Sequence, residues 1–396
     1  MKLRPIAVLT ALALLTGCTA PAQATDPAPA VPQSELRLLA PGPGSALNEQ
    51  GFFAVDTLSE EGPSVLTFYD FEEMGQRVLC DAPDCTHDSD ACPAACSGAI
   101  YLVGDTLLAM TADTSTSYCN YTRLERRSAQ DGRLLDQRLV LYGWQSVTPY
   151  TDGSALYACL NGDLVRLDVS TGLETVLKRR FLTESRSPLG ILGDRVLWDT
   201  TETDDPTTRV LSLMQDDYSL QPLFRFAQGS VKLLCLEQDT LYWADTKTGI
   251  VYAGNSSGES QPVTDALTSY RWVRTEDDWS SVQSWGGQVV DGKLLVDVTE
   301  PDLLSSTCYA VDLSSGEISP CPLTDYWNGY SHPVAVWAET EHGLLVSQHE
   351  RVMRTTMGQD GGFVTYESDR TLYGFLTPED FFAGRPKYRM MTSLSI

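Results

Sequence analysis

The chain has 396 residues, 53 acidic against 28 basic side chains, and a formal net charge of −25 at pH 7. So acidic a chain repels phosphate backbones, which argues against a nucleic-acid partner. Its longest N-terminal apolar run is far shorter than the about 20 residues that span a bilayer, and no later run reaches that length, so no transmembrane helix is expected.

The N-terminus has the pattern of a secretory signal. Lys2 and Arg4 precede an apolar run that ends at Leu15-Thr16-Gly17-Cys18. Cations, a short apolar core and small residues before a cut predict a cleaved signal over residues 1–17. Leu-Thr-Gly-Cys also resembles the lipobox of bacterial lipoproteins, which implies that Cys18 becomes a lipidated mature N-terminus. The alternative is an ordinary signal with a cysteine near the cut.

The next segment reads as a tether. Residues 19–33 are almost only Ala, Pro, Thr and Gln, which have little to bury and keep a chain extended. The sequence therefore predicts a lipidated cysteine and tether over 18–43 and a folded domain over 44–396. The expected location is extracytoplasmic, with the cell membrane as a partner through the lipid anchor.

From about residue 44 the chain repeats one unit of short alternating strands separated by Gly-containing turns. The clearest unit predicts four strands, at Val147–Tyr150, Ala155–Leu160, Leu164–Val169 and Leu173–Leu177. Equivalent markers recur every 40 to 54 residues, at Gly51, Gly104, Gly153, Gly193, Gln238, Gly292 and Gly343. Four strands at this period predict an all-β fold, a seven-bladed β-propeller of four-stranded antiparallel blades. A single large sandwich is the less favoured alternative.

One blade carries a family resemblance. Tyr242-Trp243-Ala244-Asp245 resembles the signature of YWTD and TolB-like propeller repeats, with alanine in place of threonine. The resemblance covers that blade and implies the fold, with no ligand attached.

Residues 79–96, LCDAPDCTHDSDACPAAC, hold four of the ten cysteines and one of the four histidines. Cys80, Cys85, His87 and Cys92 offer three thiolates and an imidazole, a set that suits tetrahedral zinc. In an exported protein the same cysteines, with Cys96, are also disulfide candidates, and four cysteines permit three pairings. Free or reactive thiols are the third possibility, and the sequence leaves all three open.

Cys308 and Cys321 flank a predicted hairpin and should lie opposite each other on neighbouring strands. Opposed antiparallel positions bring side chains to within about 5 Å, so this pair is predicted to form a disulfide.

The whole pattern resembles tethered propeller lipoproteins of anaerobic Gram-positive bacteria, whose first interblade loop carries a similar motif, matched here by Cys80, Cys85, His87 and Cys92. The resemblance implies fold and location, and no settled activity. Cys96 and the Cys308/Cys321 pair depart from that pattern.

The apparent catalytic motifs in the sequence do not have the structural context that catalysis requires. Gly254 to Gly258 fits G-x-S-x-G, but it lies in a predicted hairpin turn rather than at a strand-to-helix elbow. His332, His342 and His349 have no ligand spacing, and His349 is interpreted as part of a solvated strand end.

The sequence therefore favours a binding or scaffolding module, with a surface protein or glycan as partner. The alternative is a cell-surface hydrolase or lyase acting on a glycan or peptide through rim carboxylates. The ligand-binding candidates are aromatic side chains of one polar segment and acids that follow the second strands of three blades: Trp272, Trp279, Trp285, Asp199, Asp245 and Asp297. A turn or strand-end role for these acids is the competing interpretation.

Overall fold

The structure is a computed structural model that describes residues 36–39, 42–58, 62–113, 121–183, 187–201, 207–268, 287–299, 306–327, 329–357 and 362–394. All of these residues belong to one compact unit, Pro32–Ile396. The predicted signal and Cys18 lie outside the described residues.

Within this part of the chain the strands form seven four-stranded antiparallel blades, so the predicted propeller is confirmed. Each blade contains four consecutive strands, and the sheet of blade 3 has one further strand from the N-terminal segment. Blade 1 contains β2 (Leu47–Asn48), β3 (Gly51–Thr57), β4 (Ser64–Asp70) and β5 (Gly75–Val78). Blade 2 contains β6 (Ala99–Val103), β7 (Thr106–Ala112), β8 (Tyr121–Ser128) and β9 (Leu134–Leu141). Blade 3 contains β10 (Tyr150–Thr151), β11 (Ala155–Leu160), β12 (Asp163–Asp168) and β13 (Glu174–Lys178).

The remaining four blades follow the same plan. Blade 4 contains β14 (Gly190–Leu192), β15 (Arg195–Thr201), β16 (Thr208–Met214) and β17 (Leu220–Ala227). Blade 5 contains β18 (Val231–Glu237), β19 (Thr240–Asp245), β20 (Val251–Asn255) and β21 (Ser260–Thr264). Blade 6 contains β22 (Gly287–Val290), β23 (Lys293–Thr299), β24 (Ser306–Asp312) and β25 (Ile318–Cys321). Blade 7 contains β28 (Ala335–Thr340), β29 (Gly343–Met357), β30 (Phe363–Leu376) and β31 (Arg389–Met390).

Tight turns set the hairpins, as the blade 3 sequence predicts. Asn161 and Gly162, between β11 and β12, both have positive φ, 51° and 83°. Consecutive positive φ values give a turn whose twist matches the flanking strands. The β11 strand is buried along its whole length.

The folded part begins before the predicted boundary at residue 44. Strand β1 (Arg37–Leu38) pairs with β10 and adds a fifth strand to blade 3. Leu39 is fully buried in the core between blades 2 and 3. Three leucines at positions 36, 38 and 39 give this end of the predicted tether apolar surface to bury, which the Pro/Ala-rich segment lacks.

The core lies between neighbouring blades. Trp144 and Trp198 are fully buried and Trp243 is nearly so, as expected of large side chains that fill the wedge between blades. Aromatic residues of blades 1 and 7 pack together, with Phe52 stacked on Tyr69 and in edge contact with Tyr373. An isolated parallel bridge from Gly75 to Thr392 also joins the two ends of the ring.

Two additions lie around blade 7. A separate hairpin of β26 (Thr324–Trp327) and β27 (Tyr330–Pro333) is inserted between blades 6 and 7. A short helix, α1 (Pro378–Phe382), precedes β31 and is capped by the Thr377 hydroxyl. Among the described residues, no helix combines the length and apolar character needed to cross a membrane.

Candidate metal centre

The connection from β5 to β6, residues 79–98, is attached to blade 1 along the edge of β4. The Leu66 N–H donates to the Ala94 carbonyl at 2.8 Å, and the Cys96 N–H donates to the Ser64 carbonyl at 3.0 Å. Val65 and Ala95 form an antiparallel bridge. Residues 94–96 of the loop therefore continue the sheet beyond the end of β5. This pairing with β4 fixes the position of the second half of the loop.

Blade 2 holds the same loop from the other side. The buried Arg127 side chain donates to the carbonyls of Pro93 at 2.9 Å and Ala95 at 2.8 Å, and Glu125 pairs with it at 2.7 Å. Gly98, at the entry to β6, has φ +91°, and a Cβ there would lie 2.1 Å from the Met110 carbonyl oxygen. Only glycine fits this approach of the loop to β7.

Tight turns inside the loop direct the ligand side chains inward. Asp84 and His87 have left-handed φ values of 63° and 58°. The Cys85 N–H donates to the Ala82 carbonyl at 3.4 Å, and the Cys92 N–H donates to the Ser89 carbonyl at 3.0 Å. Left-handed backbone at residues other than glycine costs about 1 kcal/mol or more and marks sites where surrounding contacts enforce it.

Four ligand atoms converge. The sulfurs of Cys80, Cys85 and Cys92 and a ring nitrogen of His87 all lie within 4.8 Å of one another. Nδ1 of His87 lies 3.3 Å from the Cys92 sulfur, and the sulfurs of Cys92 and Cys80 are 3.9 Å apart. Around tetrahedral zinc, bonds of about 2.3 Å to sulfur and about 2.0 Å to nitrogen place sulfurs about 3.8 Å apart and sulfur about 3.5 Å from nitrogen.

The local environment shifts the pKa values of two of the thiols in opposite directions. The backbone N–H of His87 donates to the Cys85 sulfur and lowers the pKa of Cys85. Burial raises the pKa of the Cys92 thiol to about 11. Cys80, Cys85 and His87 are half-buried, whereas Cys92 packs with Val65 and Ala94. The cluster thus has one apolar side against blade 1 and one open side.

Cys96 lies outside this cluster. It is 5% exposed and packs with Leu66, Leu79 and Leu102, and burial raises the pKa of its thiol to about 11. The sequence groups Cys96 with the other loop cysteines, but the strand-like pairing of residues 94–96 with β4 directs it into the core.

Neither the predicted Cys308–Cys321 disulfide nor any bridge among the candidate cysteines of the loop is formed in the structure, where all eight cysteines within the described residues are free thiols. The register predicted for Cys308 and Cys321 is nevertheless correct, because the two residues are direct partners on β24 and β25. Their contact, and then burial, raise the pKa of Cys308 far above its ordinary value.

The three candidate carboxylates do not occupy equivalent positions. Asp199 and Asp297 are the fifth residues of β15 and β23, whereas Asp245 is the sixth of β19. A shift of one residue turns a side chain to the other face of a sheet. Asp245 accepts hydrogen bonds from the N–H groups of Lys247 and Thr248, so it is the turn residue of the competing interpretation.

Asp199 and Asp297 lie inside their strands, two residues before each strand ends, and each has a partner within its blade. Asp199 forms an ion pair with Arg209 on the neighbouring strand at 2.6 Å. Asp297 is half-buried and lies opposite Cys308, and burial raises its pKa. The three aromatic candidates, Trp272, Trp279 and Trp285, lie outside the described residues.

A polar and aromatic cluster that no sequence pattern indicates lies between the inserted hairpin and β29. Nδ1 of His349 lies 2.5 Å from a carboxylate oxygen of the buried Asp325, which also accepts the His349 backbone N–H at 3.1 Å. Trp327 packs against both His349 and His332. His349 is therefore not a solvated strand end. Asp325 and His349 are 24 residues apart with no motif between them, so no sequence signal links them.

No protein-family model matches the chain, and no curated protein matches it. Several solved structures are similar to it. A prolyl endopeptidase matches with 12% identity and a TM-score of 0.45, over 87% of this chain and 55% of that chain. A dipeptidyl peptidase 4 from Porphyromonas gingivalis matches with 9% identity and a TM-score of 0.42 over 83% of this chain and 64% of that chain.

The β-propeller domain of the Trilobed protease from Pyrococcus furiosus matches with 11% identity and a TM-score of 0.38, over 81% of this chain and 92% of that domain. The chain spans little more than half the length of the prolyl endopeptidase. These similarities concern the propeller fold and carry no activity.

Proposed function

We propose that this chain is an exported, lipid-anchored propeller that acts as a binding or scaffolding module, and that a structural zinc ion fixes the loop between its first two blades. The observation that carries the zinc part is the convergence of four ligand atoms within 4.8 Å of one another. The location rests on the signal pattern, Cys18 and the tether composition of the sequence.

Zinc explains the spacing of the sulfurs better than disulfides do. A disulfide needs sulfurs about 2.05 Å apart, whereas those of Cys80 and Cys92 are 3.9 Å apart with an imidazole nitrogen 3.3 Å from one of them. Any disulfide pairing of the loop cysteines also leaves His87 without a role, although a strained backbone position directs it at Cys92.

The site is suited to a structural ion rather than a catalytic one. Three cysteines and one histidine fill all four tetrahedral positions, which leaves none for water or substrate. The ion would stabilise a loop whose apolar contacts are few, between the anchors at β4 and Arg127. The fixed loop would then present a rigid surface for a partner.

The enzyme alternative loses its main support. Of the three rim carboxylates, Asp245 is a turn residue, Asp199 is ion-paired and Asp297 lies beside a thiol. A binding module needs no such set of acids, and rigid loops on a propeller are sufficient for it.

The test of the zinc site is metal analysis of the purified full chain, beside the variants Cys80→Ser and Cys96→Ser. We expect one zinc per chain in the parent and in Cys96→Ser, and none in Cys80→Ser. Retention of zinc by Cys80→Ser, with loss from Cys96→Ser, would contradict the ligand assignment.

The location is tested separately with Cys18→Ala. We expect the parent to be recovered with membranes and to enter a detergent phase, and the variant to be released as a water-soluble form. Equal recovery of both forms in the membrane fraction would reject Cys18 as the anchor.

A further inference from the structure

Blade 6 carries a row of three ionisable side chains. Asp297 on β23 is the register partner of Cys308 on β24, and Cys308 is the partner of Cys321 on β25. Directly opposed residues of antiparallel strands point to the same face of the sheet. The carboxyl group and the two thiols therefore follow one another across three strands.

The row is enclosed by apolar side chains. Cys308 and Cys321 are each 5% exposed and belong to a core cluster that includes Leu295 of blade 6, Leu344 of blade 7 and Phe381 of helix α1. Asp297 is half-buried, and its side chain is hydrogen-bonded to Cys308. A carboxyl group in such surroundings requires a donor, and the Cys308 S–H supplies it.

We propose that Asp297, Cys308 and Cys321 form a thiol–disulfide exchange site, in which Asp297 accepts the Cys308 proton while an external disulfide oxidises the two cysteines. Opposed residues have Cα atoms about 4.5–5.5 Å apart, which lies within the range of protein disulfides. The site is distinct from the loop of residues 79–98 and does not depend on zinc.

The reaction balances with an external disulfide, RSSR, as oxidant. The Asp297 carboxylate takes the Cys308 proton, and the thiolate attacks one sulfur of RSSR to form a mixed disulfide. The departing thiolate takes the proton from Asp297 and leaves as RSH. Cys321 then attacks the Cys308 sulfur, the internal disulfide forms, and the second RSH leaves with the Cys321 proton. Two protein thiols are oxidised and one external disulfide is reduced.

Asp297 matters because the thiol is otherwise poorly reactive. Contact with Cys321 and burial, with a smaller contribution from Asp297 itself, raise the pKa of Cys308, so few thiolates are present at neutral pH and the proton must be transferred to Asp297 during the attack. Access requires opening of β25, a four-residue outer strand that pairs only with β24 in the described part of blade 6. Short outer strands open locally at low cost.

The test is oxidation of the reduced, folded full chain by glutathione disulfide at pH 7, followed by peptide mapping and by the loss of about two daltons. We expect a Cys308–Cys321 bridge. Asp297→Asn should slow its formation at least tenfold and make the rate rise about tenfold per pH unit. Glu317→Gln, which removes an exposed carboxylate from the same hairpin, should leave the rate unchanged.

Two results would overturn the proposal. The first is oxidation with no bridge between Cys308 and Cys321. The second is an Asp297→Asn variant that oxidises as fast as the parent or faster, because the carboxylate then only suppresses the thiolate. If Asp297→Asn does not fold, Cys321→Ser tests the first step alone. It should accumulate one glutathione adduct at Cys308, and the absence of that adduct would overturn the proposal.

Discussion

Two regions of this propeller gather cysteines next to strands, and they do so in different ways. In the loop of residues 79–98, left-handed turns bring four ligand atoms together from an irregular backbone. In the β24–β25 hairpin, strand register alone places Cys308 opposite Cys321. Turns that hold sulfurs 3.9 Å apart around an imidazole suit a metal, whereas direct register suits a dithiol.

The difference also concerns what surrounds each group. The loop cluster has an open side and few apolar contacts, so we expect its stability to depend on the proposed ion as well as on anchors from two blades. The hairpin pair lies inside a core shared with blade 7 and helix α1, so its strands fold without a cross-link. The two regions should therefore respond to different reagents.

The largest expected effect is that of removing zinc. A ligand present at 1,000 times its Kd stabilises the folded state by about 4 kcal/mol. A strong chelator should therefore lower the melting temperature of the chain, with no change in the redox state of Cys308 and Cys321. Calorimetry of the parent and of Cys80→Ser checks this. The variant should melt like the chelated parent and show no further chelator effect.

The second largest effect on stability is expected from removing the Arg127 side chain, which holds the loop from blade 2. Arg127→Met removes the donors to Pro93, Ala95 and Glu125 and leaves buried acceptors unsatisfied, so we expect a loss of about 3 kcal/mol. Zinc affinity should fall as well, because the loop loses one of its supports. Denaturant unfolding and zinc competition measure the two effects. Arg133→Met, on an exposed side chain of the same blade, is the control and should change neither.

A reductant should affect the β24–β25 hairpin rather than the loop of residues 79–98. If Cys308 and Cys321 are oxidised after export, the bridge closes a loop of 14 residues and contributes about 3 kcal/mol. Reduction should lower the melting temperature of the parent and leave that of Cys308→Ala unaffected. Zinc content should be the same before and after mild reduction. A reductant effect that persists in Cys308→Ala would place the sensitive cysteines elsewhere.

The smallest effect concerns acid. Burial raises the pKa of Asp168, but hydrogen bonds that it accepts from Ser170 and Thr171 outweigh burial and lower the pKa to about 2. A lowered pKa contributes stability that is present above the unfolded value of about 3.9 and is lost as pH falls toward 2. Because the group is partly exposed, we expect Asp168→Asn to cost at most about 1 kcal/mol at pH 7. Equal costs at pH 7 and pH 2 would contradict this.

Acid should also act on the loop of residues 79–98 before it acts on the Asp168 turn of blade 3, because protons compete with zinc for thiolates and imidazole. Zinc release should therefore begin at a higher pH than the loss of the Asp168 turn. A titration that follows metal release and the melting temperature in the same samples tests this order. Release of the ion only after the turn is lost would contradict it.

Local patterns in the sequence were enough to predict the ring. Gly-containing turns such as Asn161-Gly162 specify hairpins within a few residues, so blade number and most strands follow from the sequence. The four ligands of the loop, Cys80, Cys85, His87 and Cys92, are visible for the same reason, since they lie within thirteen residues.

Contacts between distant segments were not predictable. Strand β1 joins blade 3, Arg127 reaches the loop from blade 2, and Asp325 meets His349 across 24 residues. The offset of Asp245 from Asp199 and Asp297 depends on one residue of strand position, which turn spacing does not fix. Such details depend on packing rather than on local pattern.

The most direct test of the zinc assignment is native mass spectrometry of the full chain, purified without chelator or reductant and combined with alkylation. We predict one zinc per folded chain, with Cys80, Cys85 and Cys92 protected from alkylation until a chelator is added. A metal-free chain whose loop cysteines are joined in disulfides, seen as about two daltons lost per bridge, would contradict the account.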